Sequence, residues 1–262
     1  MFVKRPDARL LSLSFGQGPQ TMLAVGGWVG SGEVWNEVIG YLPHWRCVTY
    51  DHRGSGASSH SGPITLAAMV DDLFAVMDAQ RIDRCILAAE SAGAGVALEA
   101  VLRAPERFTG LVLCGGAWKR PLPGQYDAFI GRLRKDFDAE LLAFAAGCVP
   151  EPNGEDVRRW GYQILRRASL QSAIELLECR SALTAQDRLA KVRVPTLLVH
   201  GTKDYISPPA HSQELAKALP DAELELMPEL GHVPILTAPA DVARLIERRF
   251  DCASVRAASC KP

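Results

Sequence analysis

A chain of 262 residues, 48% of them hydrophobic, is long enough to bury one large core with an insertion, and one domain fits that length better than two small ones. Its charged residues, 23% of the total, nearly balance at a net charge of −1, which excludes the one-signed field that a nucleic acid or an anionic membrane selects and points to a small, uncharged ligand. The seven cysteines (Cys47, Cys85, Cys114, Cys148, Cys179, Cys252 and Cys260) are scattered without C-x-x-C spacing, the N-terminus is charged where a signal peptide is apolar, and no membrane-length apolar run occurs, so a cytoplasmic protein with buried free thiols is expected.

Short apolar runs alternate with longer helical patterns, the signature of a parallel sheet with crossover helices. "RLLSLSF" reads as the first strand, followed by a turn at "GQGPQ", and "TMLAVGG" as a buried strand ending in glycines. Next come "RCVTYD" as a strand, "TLAAMVDDLFAVMDAQ" as a helix with apolar residues at i, i+3 and i+4, and "RCILAA" as the strand at whose end Ser91 stands. "GVALEAVLRAP" is helical up to Pro105, and "GLVLCGG" is the next strand. From Trp118 to Arg188 the strand signal disappears, and about four helices are expected, with Phe129, Leu133, Leu141, Phe144, Trp160, Ile164, Ile174 and Leu177 at helical spacing. "VPTLLVHG", "SQELAKALP", "AELELMP" and "PADVARLIERRF" then supply strand, helix, strand and helix. The expected organisation is a core over 1–117, a helical cap over 118–188, the rest of the core over 189–250 and a frayed tail over 251–262.

In an open parallel sheet, ligands bind beyond the carboxyl ends of the strands, so the residues following each strand carry the candidate chemistry. Ser91 lies in "AAESAGAG", where Gly93 and Gly95 suit a sharp strand-to-helix turn that leaves a serine hydroxyl projecting; the same serine could instead cap the helix beginning near Ala92. Asp204, in "VHGTKDYISPP", follows a strand and could orient a base, or form an Asx-turn. His232, in "ELGHVPILTAP", follows the last strand; an unperturbed pKa near 6.5 suits general-base work, although a single loop histidine is more often inert. Ser, Asp and His at successive strand ends, in that order, favour a nucleophile, its base and the base's orienting carboxylate. Two backbone N–H donors must face the oxyanion that such chemistry creates, and Ala92 and Trp28, in "VGGWVGSGEVW", are the candidates. The same glycines loosely imitate a dinucleotide fingerprint, but the acidic residue this would need, Asp51, is followed by Arg53-Gly54-Ser55-Gly56.

These motifs, in this order, resemble the α/β-hydrolase superfamily, and in particular its small esterase and lactonase-like members with a helical cap. "GGWVGSGEVW" is similar to the oxyanion stretch, "DHRGSGAS" to the family's Asp-x-Arg-Gly-x-Gly-x-Ser turn, "ESAGAG" to the nucleophile turn, and "GTKDYISPP" with "GHVPILTAP" to the acid and histidine loops, so that the resemblance covers roughly residues 20 to 250. It implies a mostly parallel, doubly wound sheet with a cap insertion, a triad of Ser91, Asp204 and His232, and an oxyanion hole from the backbone of Trp28 and Ala92. Gly26 stands where the family usually has histidine, a change expected to loosen the loop, and Ala89 replaces the first elbow glycine, crowding the turn slightly. A serine nucleophile separates this chain from the dehalogenase and epoxide-hydrolase branches, which attack with aspartate.

The expected activity is cleavage of an ester or lactone of a small to medium, mainly hydrophobic acyl group through an acyl-enzyme on Ser91, with Trp28, Trp118, Phe129 and Val233 lining the substrate site. An anionic lactone would need one of Arg120, Arg132 or Arg166. Asp51 and Arg53 are expected to form a structural pair, His52 or His60 to reach the pocket, and His44 and His211 to lie on the surface. With no metal-ligand spacing, no metal or cofactor is expected, nor a nucleic-acid or membrane partner; the protein would be a monomer or homodimer. The rival readings are a receptor-like ligand binder, or an enzyme using the same triad for C–C hydrolysis, haloperoxidase chemistry or acyl transfer.

Overall fold

Nine strands, assigned in a computed structural model that describes residues 1–250, form one sheet. They are β1 (Phe2–Lys4), β2 (Ala8–Phe15), β3 (Gln20–Val25), β4 (Trp45–Tyr50), β5 (Ser59–His60), β6 (Cys85–Glu90), β7 (Phe108–Cys114), β8 (Thr196–Gly201) and β9 (Ala222–Met227). The order across the sheet is β1-β2-β4-β3-β6-β7-β8-β9, with β5 paired to β2. All pairings from β4 through β9 along that path are parallel, while β2 meets β1, β4 and β5 antiparallel. The expected frayed tail, with Cys252 and Cys260, lies outside the described residues; Cys47, Cys85, Cys114, Cys148 and Cys179 are free thiols.

The central strands are mostly apolar and buried over nearly all their length because helices cover both faces of the sheet. Successive residues point to opposite sides: Leu23, Val25, Leu87 and Ala89 enter one core with residues of α2 (Leu66–Ala79) and α3 (Gly93–Arg103), whereas Met22, Ala24, Ile86 and Ala88 enter a second core with residues of α1 (Asn36–Gly40) and a helix closing the described chain, Pro239–Phe250. Thr65 starts α2 cleanly, its hydroxyl accepting the Ala68 N–H at 3.1 Å. Between β7 and β8 the chain forms α4 (Asp127–Lys135), α5 (Phe137–Cys148), α6 (Glu155–Leu165) and α7 (Leu170–Glu178). Asp136 and Ser169 cap α5 and α7 by accepting the N–H groups of Ala139 and Ser172, each at 3.0 Å. The order closes with α8 (Pro209–Ala218), α9 (Pro234–Thr237) and the final helix, α10. β1, β5 and α1 escape sequence reading because segments of two to five residues are too short to show a period.

Asp51 and Arg53 do not pair with each other. The Asp51 carboxylate turns back onto its own loop and accepts the N–H groups of Gly32 at 2.9 Å and Ala57 at 2.7 Å, while the Arg53 guanidinium points to α2 and binds Asp72 at 2.7 and 2.9 Å and Asp7 at 3.0 and 3.2 Å. Asp72 is 0% exposed, so removing its main partner leaves a charge with only the half-buried Arg5 to neutralise it. Arg53→Met is therefore expected to destabilise the fold by about 3–5 kcal/mol. Chemical denaturation checks this: a loss below about 1 kcal/mol would show that the pair is replaceable.

Candidate active site

The chain reverses sharply where β6 meets α3. Ser91 sits there at φ 47°, the left-handed region that non-glycine residues rarely occupy, and is held by its N–H donating to Cys114 O at 2.9 Å and its carbonyl accepting from Ala94 N at 3.0 Å and Ala117 N at 2.9 Å. It does not cap α3, whose N-cap position is Ala92 with no side-chain bond. Ala89 is accommodated within β6, in register with Val25 and Leu113, its methyl group fully buried in the core. The glycine at 93 is required by close approach: a β-carbon there would stand 2.7 Å from Gly26 O. Nor does Gly26 slacken its loop, because its Cα lies against the carbonyls of Gly30 and Ser31, where a side chain would collide. Gly93→Ala should push the Gly26–Trp28 loop away from the serine and lower kcat by about 10²–10³-fold, the cost of misplacing one oxyanion donor, with the fold retained. Steady-state kinetics beside a circular dichroism spectrum reads both.

His232 follows β9 and Asp204 follows β8, and the topology brings both to Ser91. His232 Nε2 lies 2.8 Å from Ser91 Oγ, and His232 Nδ1 lies 2.7 Å from Asp204 Oδ2. An ionised Asp204 only accepts, so the imidazole proton belongs on Nδ1, and Nε2 is left to accept the serine proton. Asp204 Oδ1 receives the N–H groups of Ile206 at 2.8 Å and Ser207 at 2.9 Å, and Oδ2 also faces His200 Nε2 at 2.9 Å. Burial pushes Asp204 up, but the hydrogen bonds from His200 and His232 outweigh it and hold the carboxyl well below the usual range. His200 is fixed in turn, its Nε2 donating to Ser207 O at 2.7 Å and its Nδ1 accepting the Ser212 hydroxyl at 2.7 Å. Burial alone would lower the pKa of His232, but the Asp204 carboxylate, helped by Glu90, raises it above the ordinary 6.5.

The histidine loop is also held from the helical segment: His232 N–H donates to Cys148 O at the end of α5 at 2.8 Å, and Gly231 N–H donates to Glu151 Oε1 at 2.9 Å. On the other side of Ser91, among the described residues neither Trp28 N–H nor Ala92 N–H is given to another protein group, which leaves two donors beside the serine. His52 Nε2 lies 2.9 Å from Gly27 O and braces that loop from below. The Trp28 indole donates to Ala173 O of α7 at 2.8 Å and stacks with Phe129 and Phe144 at ring distances of 5.1 and 5.0 Å.

Two cavities meet at Ser91, Trp28 and Phe144. The inner one, about 60 Å³, runs past Glu90, His232 and Val233 and is otherwise walled by apolar residues such as Val34, Ile164 and Leu236. The outer one, about 830 Å³, is larger and more polar and includes Phe129, Arg120, Arg132 and Arg180. Val233 and Phe129 thus border the space beside the serine, whereas Trp118 borders neither cavity and donates its indole N–H to His211 O at 3.0 Å. His44 is exposed as expected, but His211 is half-buried in the wall of the outer cavity, where the start of α8 packs against Trp118. Contrary to expectation, neither His52, which holds Gly27 O, nor His60, which bonds to Ser172 Oγ at 3.1 Å, borders either cavity. Arg166 also borders neither cavity and lies over the Tyr162 ring.

Sequence reasoning missed Glu90, His200 and Arg180. The signal for Glu90 was an acidic residue closing an apolar strand directly before the serine; for the other two there was none, because their roles depend on partners distant in sequence. Arg180 is buried and donates to Tyr126 OH at 3.1 Å and Ala117 O at 2.9 Å, tying α7's end to the elbow.

The family description "alpha/beta hydrolase fold" matches residues 20–239. A Caulobacter sp. protein named "Putative carbamate hydrolase RutD" is 30% identical over 247 residues, covering 84% of this chain and 86% of the relative. A Vibrio vulnificus pimeloyl-[acyl-carrier protein] methyl ester esterase is 27% identical over 237 residues, covering 86% and 91%. Among solved structures, the esterase EaEST of Exiguobacterium antarcticum superposes with a TM-score of 0.87 at 22% identity, covering 94% of this chain and 97% of its own.

Proposed function

Because the chain belongs to the alpha/beta hydrolase fold family, we propose that it is a serine hydrolase that cleaves a carboxylic ester or lactone through an acyl-enzyme on Ser91. The observation that carries this reading is the continuous line from Asp204 through His232 to Ser91, with contacts of 2.7 and 2.8 Å, beside two unshared backbone donors. His232 Nε2 takes the Ser91 proton as Oγ attacks the carbonyl, and the N–H groups of Trp28 and Ala92 receive the oxyanion. Collapse of the tetrahedral species expels the alcohol, protonated by His232; water, activated by the same imidazole, then releases the acid and frees Ser91.

The relatives' names fit this class: one is a methyl ester esterase and the other is named "Putative carbamate hydrolase RutD". Residues 118–188 serve as the cap; the apolar inner cavity, with Trp28 and Val233 in its wall, suits a small acyl group, and the outer cavity past Phe129 leaves room for a medium one. Trp118 contributes by holding α8 rather than by touching substrate. The site needs neither metal nor cofactor for this chemistry, and a single chain contains all of it. A series of p-nitrophenyl esters of rising acyl length, with unsubstituted lactones alongside, tests the proposal. Turnover should pass through a maximum at short to medium chains, and a preparation that hydrolyses none of them would overturn the reading.

A further inference from the structure

Glu90 has no part in the line from Asp204 to Ser91, yet it occupies the same cavity. It closes β6, its side chain is 8% exposed, and its Oε1 lies 3.5 Å from His232 Nε2. The Gly27 backbone N–H reaches the carboxylate. When His232 is poised to accept the serine proton, Nε2 carries no hydrogen and offers Oε1 nothing. The rest of the inner wall, apart from the serine, the histidine and the weakly polar Cys148 thiol, is apolar. Burial disfavours a charged carboxylate in such a wall and raises the ionisation of Glu90 to about 7, partly offset by His232 and the Gly27 N–H. The ionisable groups around it are His232, with Asp204 behind it, and the thiols of Cys114 on β7 and Cys148 on α5.

We propose that Glu90 is a specificity-determining residue: it accepts a hydrogen bond from a neutral donor, a hydroxyl or N–H, on the atom next to the scissile carbonyl of the acyl group. The inference rests on acylation of Ser91. Glu90 immediately precedes that serine and shares the wall of the inner cavity with it, so an acyl group seated in that cavity carries its α-substituent past Glu90. A neutral donor suits the site better than an ammonium, which would have to shed its hydration shell in an apolar cavity.

The test compares p-nitrophenyl lactate with p-nitrophenyl isobutyrate, which exchange a hydroxyl for a methyl group of nearly the same size. The ratio of their kcat/KM values within one preparation is independent of the active fraction, and the greater intrinsic reactivity of the lactate ester cancels between proteins. Glu90→Leu should lower the lactate-to-isobutyrate ratio by about tenfold or more. A ratio within about twofold of wild type overturns the proposal. Glu90→Gln, nearly isosteric, keeps the question open to refutation if the leucine variant does not fold. In the wild type the ratio should rise with pH as Glu90 ionises near about 7, and in the glutamine variant it should be flat. A flat wild-type profile, or the same rise in the variant, also overturns it. Ser91-dependent hydrolysis of isobutyrate alone reports on the hydrolase reading, so the two fail separately.

Discussion

Ser91→Ala is expected to lower ester turnover by on the order of 10⁶-fold and to abolish labelling by a fluorophosphonate probe. Among the described residues near His232, Glu90 is a weaker nucleophile toward an ester than the hydroxyl, and burial keeps the Cys148 thiol in the same cavity protonated. What remains should be the modest acceleration from binding and from the two oxyanion donors, which do not require Oγ. The fold should survive, because the residue is held through its own N–H and carbonyl, both kept by alanine. Active-site titration and circular dichroism on the same sample separate lost chemistry from lost structure. Turnover within tenfold of wild type in a folded Ser91→Ala protein would mean that the reaction runs elsewhere.

Asp204→Asn is expected to cost on the order of 10⁴-fold in kcat, because an amide can present its NH₂ group to His232 and favour the tautomer that cannot accept the serine proton. The substitution should also leave a signature in the pH profile. His232 must be neutral to act as base, so kcat/KM falls as pH drops through its pKa. In the wild type the carboxylates place that pKa above 6.5, and the acid limb of the profile should lie there. Loss of the Asp204 charge lets burial dominate, so the limb should move to lower pH in the variant, even though the rate is far smaller at every pH. A limb that stays in place, or moves up, would show that Asp204 does not set the protonation of His232.

The order of strands and the triad candidates could be read from the chain because both are local signals. Ser91, Asp204 and His232 lie within a few residues beyond the ends of β6, β8 and β9, and in a parallel sheet all such positions share one edge. The small residues around the elbow were equally legible, and the lack of room for a side chain at Gly93, where a β-carbon would stand 2.7 Å from Gly26 O, shows what they are for. The partners of charged residues were not legible. Arg53 turns to Asp72 on α2 rather than to its neighbour Asp51, and nothing in the spacing distinguishes the two. Trp118, chosen as an aromatic at the entry to the helical segment, faces α8 instead of substrate, since the direction of a single loop side chain depends on packing that no periodicity records. His200 looked like the last residue of a strand; only the return of Asp204 and Ser212 to its ring reveals its purpose.

The two backbone hydrogen bonds that the loop of His232 makes to Cys148 O and Glu151 bear on how such proteins can diversify. His232 is held partly by the segment whose helices wall the cavity beside it, so the histidine and that wall are mechanically coupled. Recombination between relatives at 118 and 188 would import a foreign grip on the histidine along with a foreign pocket. Inherited changes of specificity should therefore accumulate on the inner faces of α5 and α6, or as covarying exchanges of 148–151 with 230–233, rather than by wholesale transplantation of the helices.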